Sequence, residues 1–286
     1  MQFWIVQTLN SLALGGLLFL LSSGFSLIFG LMRIANLAHG ALFMLGAYFG
    51  VSILKFVPNL WLAALIGGLG VAALGGLLER LILRKLAGNA LGQVLVTLGV
   101  AFIIADLCLI VWGGDPIPVP APQSLRQPLR IAGVAFPSYR LVVVLIAIVT
   151  AAALYLLMER TRLGAMIRAG VDDMDMARAV GIPVSRLFTM VFCLGAGLAG
   201  AGGIIGGPIF SAYPGLDADM LPLALIVVIL GGIGSLVGAF IGSFITGFVY
   251  TFGVALLPDL AYVILFLPMI FVIAFRPRGL FGRVTT

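Results

Sequence analysis

Long apolar runs separated by short polar ones fill this chain, and each run is far longer than a soluble core helix needs. A membrane-spanning helix requires roughly 20 apolar residues. Runs of that kind occur near 9–31, 37–57, 60–79, 91–112, 139–158, 187–207, 217–232, 236–256 and 259–275. The first pair and the seventh and eighth runs are poorly separated. Segment 217–232 reads either as a crossing or as a re-entrant half-helix. The pattern predicts an all-α, polytopic transmembrane helix bundle of about 8–9 spans with broken helices. Residues 1–286 form one transmembrane domain.

Polar interruptions set the orientation. Twelve of the 16 Lys and Arg fall in one set of connections: Arg33; Arg80, Arg84 and Lys85; Arg160, Arg162, Arg168, Arg178 and Arg186; Arg276, Arg278 and Arg283. Lys55, Arg126, Arg130 and Arg140 fall in the other set. Basic loops stay cytoplasmic, so the N-terminus is expected outside and the C-terminus inside. No Lys or Arg precedes the first apolar run, so the first span is expected to be retained rather than cleaved. The proline-dense stretch D-P-I-P-V-P-A-P-Q in the loop 113–138 resists helix and sheet ladder alike. It reads as an extended cap over the outer mouth or as a plain spacer.

Composition excludes several classes. Hydrophobic residues make up 62% and charged residues only 9%, against about 25% charged in a soluble domain. The solvent is therefore lipid, a bilayer, and the net charge of +6 reflects basic loops, not nucleic acid binding. Thirty-eight glycines suit close helix contacts in a membrane. Cys108 and Cys193 both lie in apolar runs and form no metal motif. Asp106 lies inside a predicted span, either coupling protons or paired near the outer interface. No catalytic site emerges: an intramembrane hydrolase needs a nucleophile and base in reach, and only His39 and scattered serines are offered. No G-x-x-x-x-G-K-[S/T] occurs, so no site for ATP phosphates is recognisable.

Three segments carry candidate function. The loop 159–186 is the one long polar interruption. Within it Asp172 to Val180 is expected to form a short helix with Asp172, Asp173 and Asp175 at its start, where the helix dipole favours them. Gly181 and Pro183 end it. Met174, Ala177 and Val180 recur at spacing three, giving an apolar stripe that packs on this chain or docks into a partner. In the second segment, Asn36 is expected to cap the helix that follows. His39, the chain's only histidine, and Gly40 follow it closely, and such polar groups near membrane depth face a cavity or a neighbour. In the third, Gly231, Gly232 and Gly234 before Ser235 are expected to break a helix and expose backbone groups. The segment from Gly234 can be laid against that from Asn36, as an internal repeat flanking one central pathway or as packing glycines alone. A half-helix N-terminus there would favour a carboxylate.

The motifs resemble a known family. G-L-M-R-I-A-N-L-A-H-G-A-L-F-M-L-G-A-Y (Gly30 to Tyr48) resembles the opening motif of LivH-type permeases of bacterial branched-chain amino acid ABC importers, with Leu37 where phenylalanine is usual. Similar stretches run Arg160 to Ala169, Met176 to Ile182 and Val227 to Gly242. D-M-A-R-A-V-G (Asp175 to Gly181) is similar to the cytoplasmic signature of ABC importer permeases, with Met176 replacing an alanine. The resemblance implies a pore subunit that moves leucine, isoleucine or valine across the inner membrane by alternating access. It implies an ATPase-coupling role for Asp172, Asp175, Met176, Ala177, Arg178, Val180 and Gly181. Asn36, His39, Gly40, Gly231, Gly232, Gly234 and Ser235 would then line the substrate pathway. The implied partners are a second related permease, two ABC ATPase subunits that bind ATP and Mg, and a periplasmic binding protein. No cofactor is expected in this chain itself. Similar permeases for urea, short amides or small acids, and an ion-driven transporter, remain alternative readings.

Overall fold

The computed structural model describes residues 2–33, 35–131 and 133–282, and Arg283 lies outside them. Apart from three single 3-10 turns and one hairpin, the regular secondary structure of the described chain is α-helix. Eleven helices follow in order: α1 (Gln2–Met32), α2 (His39–Leu54), α3 (Leu60–Leu81), α4 (Ala90–Trp112), α5 (Ser138–Arg160), α6 (Arg162–Asp172), α7 (Met174–Ala179), α8 (Val184–Phe210), α9 (Leu216–Gly231), α10 (Leu236–Leu256) and α11 (Ala261–Phe275). Among the described residues six helices are long and apolar enough to cross a membrane: α1, α3 with its 3-10 extension, α4, α5, α8 and α10. The expected count of eight to nine is thus six by length. At 16, 16 and 15 residues, α2, α9 and α11 reach only about 24 Å, short of the roughly 30 Å hydrocarbon layer.

The arginines cluster at one end of the bundle. Arg84 donates to the carbonyl of Ser185 (2.9 Å) and pairs with Glu79 (3.1 Å), while Arg33 donates to the carbonyl of Val171 (3.4 Å). The opposite end is closed by Trp112 donating to Ser52 (2.8 Å) and by Arg140 bonded to Asn10. The loop read as an extended cap or as a spacer lies there. Part of it pairs after all, as a hairpin of β1 (Pro128–Ile131) and β2 (Val134–Pro137). Ile117 bridges to Ala212, and Val119 is buried beside Gly207.

Helices α1 to α4 and α8 to α11 pack as two related halves. Helix α3 lies along α8 as α10 lies along α1, and α2 rests on α8 as α9 rests on α1. The halves cross where α1 meets α8 at Gly24 and Gly195. A Cβ on Gly24 would sit 2.5 Å from the Gly195 carbonyl oxygen, so only glycine allows this approach. Small residues at the crossing give the close packing that holds helices together in lipid. The repeat therefore exists in another register than the one read from sequence. The start of α2 corresponds to the start of α9, and Ser235, which opens α10, corresponds to Asn59, which opens α3.

Candidate functional site

Three regions hold the residues singled out by sequence. The first is the junction of α2 and α9. His39 is fully buried, donates from Nε2 to the Leu21 carbonyl (2.9 Å) and stacks on Phe25. Leu21 lies eleven residues before the end of α1, about 17 Å at 1.5 Å per residue. His39 thus starts α2 roughly halfway through a 30 Å layer. Asn36 does not cap α2. That position belongs to Ala38, which has no side-chain cap. The Asn36 Oδ1 instead accepts from Ala38 N (3.2 Å), forming a turn before the helix, because the chain must rise from the Arg-rich end before it can coil. A Cβ on Gly40 would lie 2.6 Å from the Asp217 carbonyl, so the first turns of α2 and α9 pack side by side. The Nδ2 of Asn36 and the Nδ1 of His39 are buried without a partner. The N–H groups of Gly40 and Ala41, in the first turn, have no partner within the helix.

The second region is the helix break. Helix α9 ends at Gly231, Gly232 and Gly234 take positive φ (99° and 76°), and Ser235 caps α10 by accepting from Gly238 N (3.0 Å). The glycines do break the helix, yet they do not offer its last carbonyls to a ligand. The C-terminal tail folds back, and Leu280 N and Phe281 N donate to the carbonyls of Leu230 (2.9 Å) and Gly231 (3.0 Å). Glycines at 232, 279 and 282 make this contact possible, with a Cβ on Gly279 coming 2.5 Å from Gly232 Cα. Gly234 touches Gly30 on α1, nine residues beyond Leu21, so Asn36 and Gly234 lie at different depths. Gly234 and Ser235 instead border a cavity of about 540 Å³ at the Arg-rich end, shared with Arg33, Glu159, Arg168 and Arg278.

The third region is the loop 159–186, which folds as two helices rather than one. Thr161 caps α6 through Gly164 N (3.1 Å), and Asp173 caps α7 through Asp175 N (3.0 Å) and Met176 N (2.9 Å). Asp172 therefore closes α6 instead of opening α7, since a single extended residue, Asp173, separates them. Helix α7 stops at Ala179 and Gly181 takes φ 87°. Its expected stripe splits as a result. Ala177 is buried, whereas Val180 is 68% exposed and Met176, at i and i+4 with it, 60% exposed. Arg178 pairs with Asp175 on the exposed side (3.3 Å). Helix α6 is seated on α1, with Gly170 beside Leu31. Arg168 bonds the Met158 carbonyl and faces Glu159 at 3.6 Å.

Sequence reading missed Glu79. Its fully buried carboxylate accepts from Arg84 and from Thr189 (2.6 Å), joining the end of α3 to the start of α8. The available signal was a carboxylate in the last turn of a long apolar helix, five residues before Arg84. Asp106 is exposed on α4, six residues before Trp112. Among the described residues no cluster of His, Cys, Asp and Glu could hold a metal ion.

The chain is 27% identical to the high-affinity branched-chain amino acid transport system permease protein BraD of Pseudomonas aeruginosa, over 98% of this chain and 96% of that protein. It is 26% identical to LivH of Salmonella typhimurium and of Escherichia coli, with the same coverage. No solved structure matches it. Residues 7–273 match the family model for the permease component of branched-chain amino acid transport systems, and with nearly its whole length covered the chain belongs to that family.

Proposed function

We propose that this chain is one pore subunit of an ATP-driven importer that moves leucine, isoleucine or valine across the bacterial inner membrane. It works beside a second related permease, on two ABC ATPase subunits that supply ATP hydrolysis, and takes substrate from a periplasmic binding protein. The Arg-rich end faces the cytoplasm, with the N-terminus outside and the C-terminus inside, as basic loops require. The observation that carries this reading is the α6–α7 element. It presents Met176, Val180 and Arg178 outward at the Arg-rich end, while its other face seats Ala177 and Ile167 in the bundle. An apolar pair exposed on a capped helix suits a groove on a soluble partner.

Helix α6 also lines the cavity next to Gly234 and Ser235. A push on α7 thus reaches α1 and α8 through α6, on the wall of the cavity that α10 also borders. ATP-driven closure of the ATPase pair moves α6, and α6 shifts the two halves about their Gly24–Gly195 crossing, switching access between the two sides. The α2 first turn supplies unpaired N–H groups at mid-depth that suit a passing carboxylate. Substrate is held only weakly there.

Copurification in mild detergent from native membranes tests the reading. ATPase subunits are expected with the wild type and lost with Asp175→Lys/Met176→Arg. Their absence from the wild type would remove the ATP-driven reading in favour of an ion-driven transporter. Reconstituted uptake of leucine but not urea fixes the substrate class, and Asn36→Ala is expected to slow it. Unchanged rate and selectivity in Asn36→Ala and in Ser235→Ala would remove both from the pathway.

A further inference from the structure

We propose that the cavity at the Arg-rich end is a release-side binding site for a zwitterionic aliphatic amino acid, with Arg278 and Arg33 receiving the carboxylate and Glu159 the ammonium group. This rests on the import reading for its biological role, though not for its chemistry. The volume, about 540 Å³, lies within the roughly 300–1,000 Å³ of small-molecule sites. Leu27, Ile229, Ile233 and Val237 are among the apolar residues that line it, suited to a branched side chain. The charged groups Arg33, Glu159, Arg168 and Arg278 also line it. Arg168 is committed to the Met158 carbonyl and to Glu159. Arg33 spends one long bond on Val171 (3.4 Å) and keeps its other donors. Arg278 makes no hydrogen bond or ion pair among the described residues. Two guanidinium groups with spare donors match a carboxylate, and Glu159 supplies the opposite charge an ammonium requires.

Backbone strain marks the same place. Arg33 holds φ 55°, a left-handed conformation that is strained for a non-glycine residue and gathers at ligand sites. A dianion is a poorer fit, because Glu159 repels it.

The site joins two elements. Leu236 and Val237, just after Gly234 and Ser235, open α10, while Ile167, Arg168 and Val171 belong to α6. A bound amino acid therefore ties α6 to α10 and opposes the shift that resets the pore. Product accumulating on the release side inhibits its own import.

Binding of radiolabelled leucine to the complex in nanodiscs tests this without any transport. Saturable binding is expected, with Kd on the order of 1 mM, weakened at least tenfold in Arg278→Gln and partly restored in Arg278→Lys. Glycine, which lacks the aliphatic group, and inorganic phosphate should compete poorly. Absence of saturable binding, binding unchanged by Arg278→Gln, or equal displacement by phosphate would overturn the proposal. So would a phospholipid retained in the cavity by native mass spectrometry and lost in Arg278→Gln. Proteoliposomes then separate the two readings. A wild type that imports nothing refutes the import reading alone. A wild type whose import ignores leucine preloaded in the lumen refutes the inhibition.

Discussion

Met176 and Val180 offer the sharpest quantitative test of how this chain meets its ATPase. The pair is 60% and 68% exposed, one helical turn apart. Full burial of a Met or Val side chain is worth about 1.5–3 kcal/mol. A groove that covers the exposed part of each therefore gains about 1 kcal/mol per residue. Met176→Ala/Val180→Ala should weaken ATPase-subunit binding by about 2 kcal/mol, roughly 30-fold in Kd. Neither side chain supports the fold, so the melting temperature in detergent should stay within a degree or two. Ala177→Arg makes the contrast. Ala177 is buried between α7 and the bundle, so a guanidinium there should lower both binding and the melting temperature. The assay is a titration of the permease in nanodiscs with purified ATPase subunit, beside a thermal scan of each variant. Wild-type affinity in the double alanine variant would refute the docking assignment, because the two large apolar groups this segment exposes would then contribute nothing.

Other consequences are independent of that interface. Glu79→Ala removes the acceptor that Arg84 and Thr189 share; an unpaired partly buried donor costs about 1–3 kcal/mol, which a lowered unfolding midpoint in detergent would register. Gly24→Val forces a side chain against the Gly195 carbonyl and should cost about 1–3 kcal/mol or more through overpacking, read as reduced yield of folded protein by size exclusion. Gly181 takes φ 87° in open space, so Gly181→Ala should cost about 1–2 kcal/mol through backbone strain while Gly181→Asn is tolerated. Proteolysis of the 159–186 element at graded protease would rank the two. Removing the tail after Pro277 exposes the carbonyls of Leu230 and Gly231, and hydrogen exchange should rise in the last turn of α9.

The candidate site was legible where local chemistry marks it. Gly231, Gly232 and Gly234 announce a break because three glycines weaken a helix wherever it sits. Gly181 and Pro183 announce the end of α7 for the same reason. What stayed hidden is where those signals lie relative to each other. Asn36 and Gly234 share cap-capable neighbours and a Gly-Ala step, yet one forms the turn before a helix that starts at mid-depth and the other borders a cavity at the Arg-rich end. A short motif match is blind to depth. Ala177 and Val180 have the right spacing for one face, but the helix stops between them, and its end depends on Gly181 reaching its left-handed turn.

Sequence alone determined the solvent, the helical class, the limits of most apolar helices to within a few residues and the charged end of the bundle. These follow from hydrophobic run length and from where Lys and Arg interrupt it, both local quantities. Only the tertiary structure decided that α2 and α9 are short helices meeting at their first turns. It alone showed that the tail satisfies the end of α9, and that Glu79 reaches Thr189, 110 residues away. The reason is physical. Helices such as α1 and α2 are buried on every side, so they carry no amphipathic stripe to tell which neighbour each face will meet. In lipid, apolarity cannot sort one neighbour from another, and the choice falls to glycine contacts and buried hydrogen bonds between distant residues.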